Sequence, residues 1–272
     1  MGTDARAVII ETENVTKRFG EMVAVDRANY SLRENEVAGI IGSNGAGKTT
    51  FFNLLTGYYP PDEGTILYRG EDITHASAQK RIAMGMMRTF QLTSTFDNLT
   101  VIDNLVLSFF RAHKRSTLLS LLLTTCKRYR REERIEESLR TFELQDVRDR
   151  EVKHLSLGEK RRLEIAMAIL AEPKVLLLDE PLAGLSELEI KGVLAVLRKH
   201  VGKQTILIVE HKISKVEGFL ERLTVMHEGK IIADGSYEEC LRDPEVRKSY
   251  WQISSSTVGN EAAASHGVRD RE

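Results

Sequence analysis

Apolar residues in this chain gather in short unbroken runs, with the polar positions falling between the runs rather than inside them. Glu36-Val37-Ala38-Gly39-Ile40-Ile41, Val175-Leu176-Leu177-Leu178 and Thr205-Ile206-Leu207-Ile208-Val209 lack the in-out alternation of a half-exposed strand. Runs of this kind separated by helical stretches predict parallel strands covered on both faces. Val8-Ile9-Ile10-Glu11-Thr12, Tyr30-Ser31-Leu32 and Thr65-Ile66-Leu67-Tyr68 read as further β segments, and Pro60-Pro61-Asp62-Glu63-Gly64 marks a turn before the last of them. From about Leu99 to His154 the pattern becomes helical and strongly charged, which predicts a helical insert. The stretch from Ser254 to Glu272 is rich in Ser, Ala and charge without periodicity, and is expected to be a mobile tail.

Between the first buried run and the helical residues Thr50-Phe51-Phe52-Asn53-Leu54-Leu55 lies Gly42-Ser43-Asn44-Gly45-Ala46-Gly47-Lys48-Thr49, which fits G-x-x-x-x-G-K-[ST]. Strand, glycine loop and helix is the context in which this pattern cradles a nucleoside triphosphate. Glycines let successive N–H groups turn toward the phosphates, Lys48 reaches the β and γ oxygens, and the Thr49 hydroxyl ligates Mg²⁺. Ser43, Asn44, Gly45, Ala46, Gly47 and Thr50 complete the expected phosphate-binding set. The run Val175 to Leu178 then ends in Asp179-Glu180, at the carboxyl end of a strand, where open α/β sheets bind ligands. Asp179 suits the metal and Glu180 the attacking water, so the pair divides metal binding from base catalysis.

Composition changes this picture little. The 272-residue chain carries a net charge of −1, which gives no global reason to expect nucleic acid or an anionic surface as partner. Its two cysteines, Cys126 and Cys240, lie far apart outside any metal-like spacing, as expected of free thiols in a reducing compartment. The N-terminus has too short an apolar stretch for a signal sequence, and Leu118 to Leu123 is far below the ~20 residues a membrane span needs. The expectation is a cytoplasmic chain not itself embedded. The basic run Lys127 to Arg134 is interleaved with glutamate and reads as a solvated helix face, so no direct nucleic-acid contact is expected.

The subclass comes from Leu155-Ser156-Leu157-Gly158-Glu159-Lys160-Arg161-Arg162, which resembles the L-S-G-G-Q signature of ATP-binding cassette (ABC) ATPases and opens a helix. Leu157 stands in place of a glycine and Glu159 in place of glutamine; a leucine forced to positive φ would be costly, and the pair is taken as a tolerated variant. The resemblance covers about Val8 to Trp251 and implies a RecA-like P-loop core, an antiparallel β subdomain and a helical subdomain near residues 92–160, in one cassette spanning 8–253. It implies ATP and Mg²⁺ as cofactors, an adenine stacked on Phe19, Gln91 at the metal or water, and His211 at the γ-phosphate. It places Ser156 and Gly158 on the ATP of a second cassette, identical or homologous, with Ser186 where the facing loop usually carries Asp.

Arg88-Thr89-Phe90-Gln91, Leu163-Glu164-Ile165-Ala166, Glu210-His211 and Asp243-Pro244-Glu245-Val246 with Tyr250 resemble ATPase subunits of importers of branched-chain amino acids, and of their amide- and urea-transporting relatives. The implied partner is a membrane permease at the cytoplasmic face of the inner membrane, docked near Thr95, Phe96, Leu99 and Val101. The alternatives are an ATPase of a lipid or lipopolysaccharide exporter and, further off, a soluble ABC ATPase acting on nucleic acid or ribosomes. No second P-loop and no sustained heptad supports the latter. A nucleotide-binding regulator that does not hydrolyse is a third rival, and Glu180 speaks against it.

Overall fold

A computed structural model describes residues 6–89, 95–113, 132–211 and 216–249. Gln91, Phe90, Cys126, most of the basic run, Tyr250 and the expected tail lie outside the described residues. Two sheets organise the rest. The first is antiparallel, in the order β2-β1-β4-β5, built from β1 (Val8–Phe19), β2 (Met22–Arg33), β4 (Glu63–Tyr68) and β5 (Glu71–Asp72). The second runs β10-β9-β3-β8-β7-β6 and comprises β3 (Val37–Gly42), β6 (Met86–Arg88), β7 (Val175–Asp179), β8 (Thr205–Glu210), β9 (Arg222–His227) and β10 (Lys230–Gly235). Only β10 pairs antiparallel in it. The α/β P-loop class read from the apolar runs is the one observed.

Those runs are continuous because each strand supplies two cores at once. Leu176, Leu178, Ile206 and Ile208 face one cluster, and Val175, Leu177, Leu207 and Val209 face the other, so a period of two divides every residue between two buried faces. On the first face pack α3 (Val101–His113), α4 (Glu133–Thr141), α5 (Leu157–Leu170) and α6 (Glu187–Arg198). On the second lies α1 (Lys48–Leu55), whose Phe51, Phe52, Leu54 and Leu55 are fully buried beneath the antiparallel sheet. Helices α2 (Ala78–Ala83) and α7 (Tyr237–Arg242) are short peripheral elements. Between β6 and α5 the described residues form α3, α4 and two 3₁₀ turns.

Helix α1 is closed at its far end by Arg81, which is almost wholly buried and donates to the carbonyls of Leu54, Leu55, Ala76, Ile73 and Thr74 at 2.7–3.1 Å. A cation at the carboxyl end of a helix complements the dipole whose positive end the glycine loop uses.

Candidate functional site

The glycine loop leaves the carboxyl end of the fully buried β3 and enters α1 through Gly47, at φ 97°. Two glycines are fixed by their neighbours. A Cβ at Gly42 would meet the Met226 carbonyl oxygen at 2.4 Å, and one at Gly47 would meet that of Ala24 at 2.4 Å. Gly45, at φ 81°, faces open space instead, so its glycine serves conformation alone. Ser43, Asn44 and Ala46 fill the rest of the loop, with the Ala46 carbonyl held by Gly229 N–H at 3.0 Å. Because Gly47 is the N-cap, no side-chain oxygen covers the first-turn amides of Lys48, Thr49 and Thr50. That is the electrostatic character of a phosphate site.

Lys48 Nζ donates to the Gly42 and Ser43 carbonyls, both at 2.9 Å, and lies 3.1 Å from His211 Nδ1. His211 Nε2 is 2.6 Å from Glu180 Oε1. An ammonium has no lone pair, so Nδ1 accepts and Nε2–H donates, which sets the imidazole tautomer and strings Lys48, His211 and Glu180 into one line. Burial lowers the Lys48 pKa, opposed by the negative charges of Glu180, Asp179 and Glu210. The site thus holds a desolvated cation beside carboxylates, where a polyphosphate would find its counter-charge.

Glu180 adopts φ 46°, a left-handed conformation that costs a non-glycine residue free energy and must be held by its surroundings. Its N–H donates to Val209 O at 2.9 Å, and its carbonyl accepts from Arg161 Nη2 at 3.3 Å. The next turn is pinned by the buried Glu210, whose Oε1 accepts from Leu182 N–H at 2.9 Å. Asp179 Oδ2 is engaged by Arg88 Nη2 at 2.5 Å. Thr49 and Asp179 offer hard oxygen donors that fit Mg²⁺, which binds protein through one or two such groups and leaves the rest of its shell to phosphate and water. Among the described residues no group of three or more His, Cys, Asp and Glu is placed to hold a metal by itself.

Phe19 closes β1 at a hairpin tip, 42% exposed, with its ring edge-on to Tyr59 at 5.6 Å and Lys17 Nζ 5.7 Å from its centroid. The hairpin pairs Phe19 with Met22 and Arg18 with Val23, and the next residue, Ala24, abuts Gly47. The same sheet edge therefore carries the exposed ring to the glycine loop.

Ser156 is the N-cap of α5, and its hydroxyl accepts from Glu159 N–H at 3.2 Å while Glu159 Oε2 accepts from Ser156 N–H at 2.7 Å. Leu157 is the first helical residue and has no positive φ, so the leucine in place of glycine carries no backbone penalty. Its side chain is half-exposed and reaches toward Gly184. Gly158 N–H donates to Glu189 Oε1 at 3.1 Å, and a Cβ there would strike that carboxylate at 2.5 Å. Glu189 Oε2 also takes the N–H of Ser186, the N-cap of α6, at 2.9 Å. One side chain thereby ties the signature helix to the loop before α6.

Phe96, 56% exposed, and Leu99 stand out from the surface, held by the buried Asn104, which bonds both the N–H and the carbonyl of Phe96. Thr95 is partly exposed beside them. Val101, expected on that surface, is fully buried in the helical core because it opens α3 facing α5.

Arg88, Asn53, Arg161, Glu189 and Glu210 emerge as site residues only in three dimensions. For Glu189 a local signal existed, since Ser186 and Glu189 stand at the spacing of a capping box.

The profile of the ABC transporter family matches residues 25–183. Over 248 residues the chain is 37% identical to the high-affinity branched-chain amino acid transport ATP-binding protein LivG of Salmonella typhimurium, covering 89% of this chain and 97% of that one. It is 36% identical to the corresponding protein BraF of Pseudomonas aeruginosa, with the same coverage. Among solved structures, a nucleotide-free ATP-binding cassette of an ABC transporter superposes with a TM-score of 0.74 at 32% identity, covering 90% of this chain and 99% of that one. The ADP conformation of an ABC transporter cassette gives a TM-score of 0.75 at 32% identity, with 90% and 98% covered. Among the described residues no helix is long and apolar enough to cross a membrane. A phosphate cradle backed by a carboxylate pair, a signature helix and these relatives converge on one conclusion: the chain belongs to the ABC transporter family and is an ATP-hydrolysing cassette of it.

Proposed function

We propose that this cassette powers a separate membrane permease that imports branched-chain amino acids or chemically similar small polar solutes, from the cytoplasmic face of the plasma membrane. The support is the similarity to LivG and BraF across nearly the full length of both chains. The residue roles in this reading are the following. Ser43 to Gly47 with Lys48, Thr49 and Thr50 hold the phosphates, and Phe19 stacks on the base. Thr49 and Asp179 bind Mg²⁺ together with Gln91. Mg²⁺ held there would supply positive charge against the triphosphate.

Glu180 is the general base. The observation that carries this is the line from Lys48 through His211 Nδ1 and Nε2 to Glu180 Oε1. Lys48 draws on the γ-phosphate, His211 senses it, and Glu180 orients water and accepts its proton, each through an atom already aligned with the next. Ser156 and Gly158 sit at a helix N-terminus, where they serve the ATP of a second cassette, and the exposed Phe96 and Leu99 form the docking surface for the permease.

The test is reconstitution. The cassette co-expressed with its permease and incorporated in vesicles is expected to hydrolyse ATP faster when leucine, isoleucine or valine is supplied on a binding protein. Stimulation by a lipid substrate, with none by amino acids, would overturn the import reading.

A further inference from the structure

The metal carboxylate is not alone at the end of β7. Arg88, the last residue of β6, has a side chain only 10% exposed against 15% for Asp179, and its Nη2 lies 2.5 Å from Asp179 Oδ2. Its other terminal nitrogen, Nη1, donates to Asn53 Oδ1 at 2.6 Å, and the guanidinium carbon lies 4.9 Å over the Phe52 ring. Nε is buried with no acceptor among the described residues, so the group is held by these two prongs and the ring. Asn53 stands one helical turn along α1 from Thr49, on the same face. The residue after Arg88, Thr89, accepts through Oγ1 from Asp179 N–H at 3.4 Å.

A planar, desolvated cation that is not a metal ligand thus spans the two elements that carry the metal ligands. The fork also has a consequence for cation choice. With Oδ2 accepting from Arg88, Asp179 presents Oδ1 to a metal more freely than Oδ2, which favours monodentate over bidentate contact. Mg²⁺ accepts monodentate carboxylates in a strict octahedron, whereas Ca²⁺ favours more oxygens and takes carboxylates bidentately.

We propose that Arg88 is a positioning residue that sets the cation selectivity of the site, by fixing Asp179 against α1 and disfavouring bidentate contact of its carboxylate with the metal. This rests on the reading of Thr49 and Asp179 as metal residues. Lysine cannot replace Arg88 fully, because an ammonium keeps the charge and loses the planar fork that reaches Asn53 and Asp179 together.

The experiment measures Mn²⁺ bound to the full chain with a non-hydrolysable ATP analogue, by electron paramagnetic resonance, and its displacement by Mg²⁺ and by Ca²⁺. In Arg88→Lys the ratio of the two displacement constants should move toward Ca²⁺ by about tenfold, the lower end of what outer partners of metal ligands contribute. Asn53→Ala, which leaves the ion pair in place, should move the ratio the same way by less, and carries the test if Arg88→Lys does not fold. kcat should fall in both while KM for ATP holds. Unchanged displacement ratios in both variants, with only thermal stability lowered, would reduce Arg88 to a structural ion pair. Asp179→Asn separates the two readings: if it binds Mn²⁺ as the wild type does, the assignment of Asp179 fails rather than that of Arg88.

Discussion

Lys48, His211 and Glu180 show how much of the site depends on which atoms face which. The motif around Lys48 was legible because its spacing is the chemistry, and Asp179-Glu180 because a strand's end locates its carboxylates. The left-handed Glu180 and the imidazole tautomer were not legible, since the first is held by β8 and Arg161 and the second is set by Lys48 and Glu180, all from distant parts of the chain. Leu157 is the converse case: a residue that looked strained in sequence is relaxed at the start of a helix. Two glycines give a paired expectation. Gly47→Ala combines positive φ with a backbone collision and should cost about 2–3 kcal/mol in urea unfolding, with loss of ATP binding. Gly45→Ala meets nothing and should cost only about 1 kcal/mol, the penalty of its φ alone. Equal costs would mean that the Ala24 carbonyl does not confine the loop. At the hairpin tip, Phe19→Ala should weaken ATP and GTP binding alike by about 1–3 kcal/mol, with Phe19→Tyr close to wild type in calorimetry.

At the scale of elements, strands buried on both faces were the easy ones, because an unbroken apolar run fills the middle of each. β5, β6, β9 and β10 were missed: β5 and β6 are two and three residues long, and β10 is only half-buried, so none of these three shows a run. β9 has the buried Thr224 inside it, whose hydroxyl is satisfied by Asp234 of β10 at 2.7 Å, a pairing that hydropathy does not encode. Helix α5 offers a direct test of the altered signature. Glutamate and glutamine both complete a capping box, so Glu159→Gln should leave stability within about 0.5 kcal/mol, while Glu159→Ala should lose about 1 kcal/mol by chemical denaturation. In the antiparallel sheet, Lys17 Nζ and Arg18 N–H donate to Asp62 and hold its carboxyl below the ordinary range. A depressed carboxyl stabilises the fold above its unfolded pKa and ceases to do so as pH falls through the folded value. Acid unfolding below about pH 4 should therefore be less steep in Asp62→Asn than in the wild type.

At the scale of the molecule, the parts of the site come from separate layers. The antiparallel sheet brings Phe19, the parallel sheet brings the loop and carboxylates, and the helical layer brings Ser156 and Phe96. Glu189 links α5 to α6, so a shift of the helical layer is felt at the loop before α6. Phe96→Glu should leave folding and basal hydrolysis intact and weaken co-purification with the permease, because its ring is on the surface and its backbone is fixed by Asn104. Substrate identity was not legible at any scale within this chain, since no motif in it reads a cargo. Everything in the account passes through Glu180 as the base that acts on bound ATP. The direct test is steady-state phosphate release by purified Glu180→Gln with ATP and Mg²⁺, alongside ATP retention. Release should fall by about 10²-fold or more with ATP still bound; release at the wild-type rate would remove Glu180 as the base.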